Sequence, residues 1–427
     1  MILSQKFFFK IFNLKIDKAF DRLLKIKSLS TSDFNDWKYK KRWEIARYHY
    51  HNNKYYKSMF SKSFPEKWED LPIIYKTDLQ RDIDVILSNE FLLKDVYVAN
   101  TSGSSGHPFY FAKDKECHSL TWAYIKWRYE SLGISLNDLE ARFYGIPLDF
   151  FSNIKEKFKD RILKRIRLPI YDFSDYNLNK YVKKFKLNKI DYIYGYTNSI
   201  VLFSRFLLKN NIHLLDICPS IKLIIVTSEV CTKEDRSIIE KAINVPLYNE
   251  YGASEFAYIG YQHNNNSWRV AEEMVYVERH HDGSLLITDL HNKAFPFVRY
   301  NIGDIAQLYE DKSGNTYIDS LEGRTNDTIK LPSGKKAAGL TFYYISRSIL
   351  EKSGSLKEFI IRQVALDKFI FDVVSDQPLS NDEVSEIKSN LDIYLEKDLK
   401  VEINRVKRIN RPVSGKIKQF YSELNKN

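Results

Sequence analysis

The segment "IKLIIVTSE", Ile221 to Glu229, constrains the fold of this chain more than any other stretch. Its apolar residues run almost without interruption, so a strand formed here has no face to offer to water. Such strands belong to parallel sheets with helices on both faces. The flanking sequence supplies both kinds of element. "LEARFYGIPL" (Leu139 to Leu148) and "KIDYIYGY" (Lys189 to Tyr196) read as further buried strands. "SIVLFSRFLLKNN" (Ser199 to Asn211) reads as a helix closed by two Asn. "CTKEDRSIIEKAI" places Thr232 three residues before Asp235, an acidic form of the capping box that starts a helix. Alternating strands and helices predict an α/β architecture, with mixed sheets flanked by helices.

Beyond residue 325 the style changes. "GLTFYYISRSILEKSG" predicts a helix ending at Gly354, and "EFIIRQVALDKFIFDVVS" two strands joined by a turn around Asp367. "NDEVSEIKSNLDIYLEKDL" predicts a capped helix and "KVEINRVKRI" a strand. The chain of 427 residues therefore divides into a large domain over 1–325 and a small α+β domain over 326–427.

Composition narrows the function classes. Net charge is +11, but the excess lies on dispersed helix faces such as "IKEKFKDRILKRIR" (Ile154 to Arg167). No stripe interleaves Arg with aromatic side chains, so no nucleic-acid partner is expected. The three cysteines, Cys117, Cys218 and Cys231, lack the paired spacing of a zinc site or a disulfide framework, which predicts a reduced, cytoplasmic protein. No run of about 18 apolar residues could span a bilayer. At the N-terminus Phe8, Ile11, Phe12 and Ile16 fall on one helical face beside lysines. That segment either lies on an anionic membrane surface, at the inner face, or packs on its own domain.

Chemistry gathers in five segments. "TSGSSGHP" (Thr101 to Pro108) clusters hydroxyls and glycines in a chain with only 15 Gly. As a turn it is unremarked; as a concave array of N–H and O–H groups it suits phosphate oxygens. "YGASE" (Tyr251 to Glu255) ends in a carboxylate after the strand-like "VPLYNE", and "VRYNIGD" (Val298 to Asp304) sets an Asp behind Gly at the end of another strand. "GRTNDTIKLPSGKK" (Gly323 to Lys336) sits at the domain boundary, and "RPVSGKIK" (Arg411 to Lys418) places Lys416 after Gly in a tail loop.

In this order the five segments resemble the adenylate-forming superfamily, closest to its phenylacetate–CoA ligase and CapK-like capsular-polysaccharide branch. The resemblance implies an ATP- and Mg²⁺-dependent ligase that makes an acyl-AMP from a carboxylic acid, releases pyrophosphate, and passes the acyl group to CoA or to an amine or hydroxyl, such as one on a sugar. It implies that the small domain is a mobile lid carrying the adenylation lysine, Lys416. Thr101, Ser102, Gly103, Ser104, Ser105 and Gly106 would hold the β- and γ-phosphates. Tyr251 and Gly252 would border the adenine, with Ser228 and Glu229 of "VTSE" on its other side. Glu255 would hold Mg²⁺, Asp304 would accept from the ribose hydroxyls, and Arg324 would contact ribose or phosphate. The departures are His107 for a usual Lys, Ser228 for a usual Gly, and Asn326 for a usual acid at the hinge.

Tyr194, Gly195, Tyr196, Phe256 and Tyr258 are expected to line the acid pocket, with core packing the alternative for the four aromatic residues. His263, His280 and His281 read as solvated loop residues rather than metal ligands. The alternative function is a protein that keeps the fold as a scaffold or nucleic-acid binder without catalysis.

Overall fold

The computed structural model describes residues 9–10, 12–101, 109–145, 150–170, 173–262, 267–324, 328–334, 336–338, 356–409 and 420–424. Among these residues one sheet of eleven strands organises the large domain. Its parallel half contains β3 (Glu140–Phe143), β4 (Arg165–Leu168), β5 (Tyr192–Tyr196), β6 (Leu223–Thr227) and β7 (Leu247–Tyr251), in spatial order β4-β3-β5-β6-β7. Beyond β7 the sheet continues antiparallel through β8 (Gly260–Gln262), β9 (Trp268–Val270), β13 (Thr316–Arg324), β12 (Tyr300–Glu310), β11 (Ser284–Asp289) and β10 (Val275–Arg279).

The apolar run of β6 is buried at every residue and lies inside the parallel half. Each Leu or Ile so enclosed contributes about 1.5–3 kcal/mol relative to exposure. One face carries the helices α5 (Asp175–Leu187), α6 (Thr197–Lys209) and α7 (Lys233–Ile243). The other faces α3 (Lys115–Ser131), where Tyr129, Tyr192, Ile225, Tyr194 and Tyr248 pack together. Thr232 and Asp235 form the expected reciprocal cap of α7. A hairpin of β1 (Val96–Thr101) and β2 (Phe109–Asp114) sits apart from this sheet, with Thr101 opposite Phe109 at its loop end.

The N-terminal segment takes the packed alternative. Asn13 turns the chain with φ of 51°, so no single helix joins Phe12 to Ile16; α1 begins afresh at Ile16 and runs to Lys27. Phe9, Leu14 and Ile16 are buried with Ile162 and Leu163 of the same domain, while Phe12 remains 46 % exposed. Phe8 and Ile11 lie outside the described residues.

In the C-terminal region β14 (Thr328–Lys330) pairs with β15 (Lys336–Ala338), β16 (Leu356–Ala365) and β17 (Lys368–Ser375) form the hairpin expected around Asp367, and α8 (Asn381–Tyr394) starts from a Ser380–Glu383 capping box. β18 (Lys400–Arg405) and β19 (Phe420–Ser422) pair in parallel with the hairpin strands. These elements share a core of their own, from Ile329 and Leu331 through Phe359, Phe371 and Leu391 to Phe420. The helix expected to end at Gly354 lies outside the described residues.

Candidate active site

Three parallel strands, β5, β6 and β7, end at the same edge of the sheet, the edge where open α/β sheets bind ligands. After β6 the chain passes through Ser228, whose φ of 69° is a conformation that glycine adopts without cost. This turn sends Glu229 across to α6, where its Oε2 accepts from the Asn198 N–H at 2.8 Å. A carboxylate at a helix N-terminus is favoured by the helix dipole, so Glu229 fixes the loop there.

After β7 the loop Tyr251–Glu255 folds back tightly. A Cβ on Gly252 would stand 2.2 Å from the Ala257 carbonyl oxygen, so no larger residue fits without moving the loop. Two residues of this loop then reach one strand, β12. Tyr251 donates its hydroxyl to Asp304 Oδ2 at 2.6 Å, and Tyr300 donates its hydroxyl to Glu255 Oε1 at 3.2 Å. Both carboxylates are largely enclosed, Glu255 at 7 % and Asp304 at 8 % exposure.

The start of β12 is itself held firmly. Arg299 adopts φ of 50° and its Nη1 donates to the carbonyls of Glu69 and Leu71 at 2.6 and 2.8 Å. Asp304 therefore lies in the first half of β12, not at a strand end as the sequence suggested. The reason is that Gly303, at φ of 81°, kinks the strand without ending it. Across the sheet Asp304 stands opposite Arg324 in the β12–β13 register, which shifts by a bulge directly after Ile305.

The β1–β2 hairpin brings its loop end to the same place. Phe109 stacks on Tyr300 with ring centroids 6.5 Å apart, and Phe256 packs against Tyr300 at 6.0 Å. Ser102, Gly103, Ser104, Ser105, Gly106 and His107 lie outside the described residues, but Phe109, the strand partner of Thr101, stands beside the tyrosine that bonds Glu255. Lys416 and Asn326 also lie outside the described residues.

The expected pocket residues divide. Tyr194 is half-buried, 4.8 Å from the Arg142 guanidinium, and Tyr196 meets the Tyr144 ring at 4.2 Å. Burial pushes both phenols far above their ordinary range. Gly195 serves a close approach: a Cβ there would lie 2.5 Å from the Phe143 carbonyl oxygen. Phe256 is buried between Phe297 and Tyr300, and Tyr258 is buried against Tyr124. His280 and His281 contact each other and Asp282, and His263 lies outside the described residues. Among the described residues no three His, Cys, Asp or Glu side chains gather as a metal site.

No family model matches the chain. It is 25 % identical to Protein CapK of Staphylococcus aureus over 333 residues, 75 % of this chain and 72 % of that protein. With 93 % of its length it overlays 91 % of 2-hydroxyisobutyryl-CoA ligase in its postadenylation state with 2-HIB-AMP, at a TM-score of 0.69 and 16 % identity. This is the fold of the adenylate-forming ligases. A further solved example, O-succinylbenzoate coenzyme A synthetase of Bacillus subtilis with AMP, overlays 75 % of this chain and 67 % of its own at a TM-score of 0.51 and 15 % identity.

Within the adenylate-forming ligase fold two site residues escaped the sequence reading. Tyr300 precedes Asp304 by four residues in "VRYNIGD", a strand spacing that puts both on one face, and this parity was the available signal. Glu250 is a buried acidic residue inside β7, between Asn249 and Tyr251; burial raises its pKa to about 7, with Arg128 opposing the rise.

Proposed function

We propose that this protein is an ATP-dependent ligase that activates a carboxylic acid as an acyl-AMP and then transfers the acyl group. The observation that carries the reading is the convergence on β12. One strand presents Asp304 bonded to Tyr251 and Tyr300 bonded to Glu255, beside the loop end of the β1–β2 hairpin. A nucleotide laid along this strand would meet a ribose acceptor and a metal-binding carboxylate in the order in which ribose and phosphates are joined.

The chemistry asks two anions to meet. A carboxylate oxygen of the acid attacks the α-phosphorus of ATP, the bond from that phosphorus to the β-phosphate bridging oxygen breaks, and pyrophosphate leaves with that electron pair. Asp304 would orient the ribose by accepting its hydroxyl protons. Thr101 through Gly106 would receive the departing pyrophosphate, and Arg324 would contact ribose or phosphate. Lys416 would stand against the charge developing at the α-phosphate, the type of fixed charge that most accelerates such steps. Mg²⁺ suits a single enclosed carboxylate plus substrate phosphates, and Glu255 provides that carboxylate; bound there, it would neutralise phosphate charge. In the second step the acceptor attacks the acyl carbon and AMP leaves.

The acceptor proposed is the CoA thiol, because the similar solved structures include CoA ligases. An amine or hydroxyl of a sugar is the alternative, and the likeness to CapK keeps it in view. A cytoplasmic setting follows from the reduced cysteines and the demand for ATP; the free thiols of Cys117, Cys218 and Cys231 accord with it. The domain division at residues 325 and 326 and the lid motion of the smaller part belong to the same proposal.

ATP–pyrophosphate exchange with a panel of carboxylic acids, run with and without CoA, tests this reading. Acid-dependent exchange, followed by CoA-dependent release of AMP, is expected. Exchange without consumption of CoA would move the acceptor to an amine or hydroxyl. Absence of exchange with every acid would leave the non-catalytic scaffold.

A further inference from the structure

Glu250 is not among the residues proposed to hold the nucleotide, yet it directly precedes Tyr251, the last residue of β7. In the sheet register it is level with Thr227 on β6 and, through Thr227, with Tyr196 on β5. These three residues mark the ligand-binding edge of the parallel strands. Two residues earlier Tyr248 packs beneath α3 with Tyr129 and Tyr194, so strand alternation places Glu250 on the same face.

Arg128 of α3 stands over this face, its guanidinium 4.0 Å from the Tyr261 ring. Glu250 and Arg128 are 7 % and 9 % exposed. They attract each other but share no hydrogen bond; the Tyr258 hydroxyl lies between, donating to Glu250 Oε1 at 3.5 Å and meeting Arg128 on its other side. Among the described residues the Arg128 Nε–H is buried without a hydrogen-bond partner, while Nη1 donates to Ser131 Oγ at 3.4 Å. The second carboxylate oxygen of Glu250 has no hydrogen bond among the described residues. Two buried ionic groups thus face one edge of the site with unused hydrogen-bonding capacity, a costly arrangement unless something completes it.

The geometry points to a substrate acid bearing a hydroxyl group, which donates to Glu250 and accepts from the Arg128–Tyr258 side. The inference rests on the adenylation reading above. Chemistry favours the hydroxyl, because a single oxygen gives one hydrogen bond and takes another. An alkyl group would satisfy neither partner. An ammonium would suit Glu250 but meet Arg128 as a like charge, and a second carboxylate would suit Arg128 but repel Glu250.

The test uses matched acids on the full-length protein: 2-hydroxyisobutyrate against isobutyrate, 3-hydroxybutyrate against butyrate, and 4-hydroxybenzoate against benzoate. In ATP–pyrophosphate exchange at least one hydroxy acid is expected to exceed its partner about 10- to 100-fold in kcat/KM. Glu250→Leu should bring that ratio close to one, and Glu250→Gln should retain part of it. Should Glu250→Leu fail to fold, Glu250→Gln and Arg128→Lys report the same ratio. Equal use of all matched acids by the wild type, or an undiminished ratio in the variants, overturns the assignment. Calorimetric titration of the same acids separates the two readings. Tighter binding of the hydroxy acid without exchange would remove the adenylation reading and keep the hydroxyl site, whereas exchange without preference would do the reverse.

Discussion

The Tyr251 hydroxyl donates to Asp304 Oδ2 at 2.6 Å, tying the loop after β7 to the interior of β12. A hydrogen bond to an ionised acceptor is worth about 1.5–3 kcal/mol, so Tyr251 holds Asp304 in one orientation, the one proposed to receive a ribose. Tyr251→Phe is expected to raise KM for ATP about 10-fold with a smaller effect on kcat, and Asp304→Ala to cost about 100-fold in kcat/KM. Steady-state exchange kinetics at varied ATP check both; an unchanged KM in Tyr251→Phe would remove the positioning role.

On the metal side, Glu255→Gln is expected to abolish the Mg²⁺ response at ordinary concentrations. Tyr300→Phe is the finer probe, because it keeps the carboxylate and removes only the bond that orients it. Partners of this kind typically tune metal affinity 10- to 100-fold. A Mg²⁺ titration of exchange activity should therefore shift its midpoint upward by about 10-fold in Tyr300→Phe.

Lys416→Ala is expected to lower acyl-AMP formation about 10²–10³-fold while calorimetry finds ATP binding largely intact. Wild-type exchange by this variant, with an acid that the wild type uses, would dismiss the lysine from the reaction.

Two small residues beside the site should respond in opposite directions. Ser228 sits at φ of 69°, so Ser228→Gly is expected to relieve strain and stabilise the fold by about 1 kcal/mol. Gly252→Ala forces a methyl group against the Ala257 carbonyl and displaces the loop that carries Glu255. It should lose activity about 10-fold or more while thermal unfolding shifts only modestly. Chemical denaturation and exchange assays on the pair check both signs.

Stability should fall toward acid pH for a traceable reason. Burial holds the folded-state pKa of His49 and His291 down to about 4 and that of His118 down to about 3. Unfolded histidines titrate near 6.5, so the unfolded chain binds more protons below that value. Each histidine then contributes stability that is complete above about pH 6.5 and lost as the pH falls toward its folded pKa, by about 2 kcal/mol at about pH 5. Urea unfolding midpoints should drop between about pH 7 and pH 5, and replacing His49 with Asn should flatten the slope.

Local signals that own their whole mechanism were legible in the sequence. The apolar run of β6, the Thr232–Asp235 cap and the hairpin turn at Asp367 each depend on neighbours along the chain, and each appears where expected. The ordered motifs likewise pointed to the adenylate-forming fold. What stayed hidden depends on distant partners. Nothing near Asn13 announces that the N-terminal helix breaks there to bury Leu14 against Ile162. Asp304 read as a strand end because Gly303 usually punctuates, yet pairing with β13 carries the strand through it. The facing of Glu250 by Arg128 joins residues more than a hundred positions apart, beyond the reach of any spacing rule.

Because Tyr300 and Asp304 are rungs of one strand, anchored at its head by Arg299, the two ends of a bound nucleotide would be gripped from a common beam. A disturbance that tilts the beam dislodges sugar and metal together. The Gly303 kink lies between the two contacts and the bulge after Ile305 beyond them, so the strand turns once within the grip and again before it runs on to Glu310.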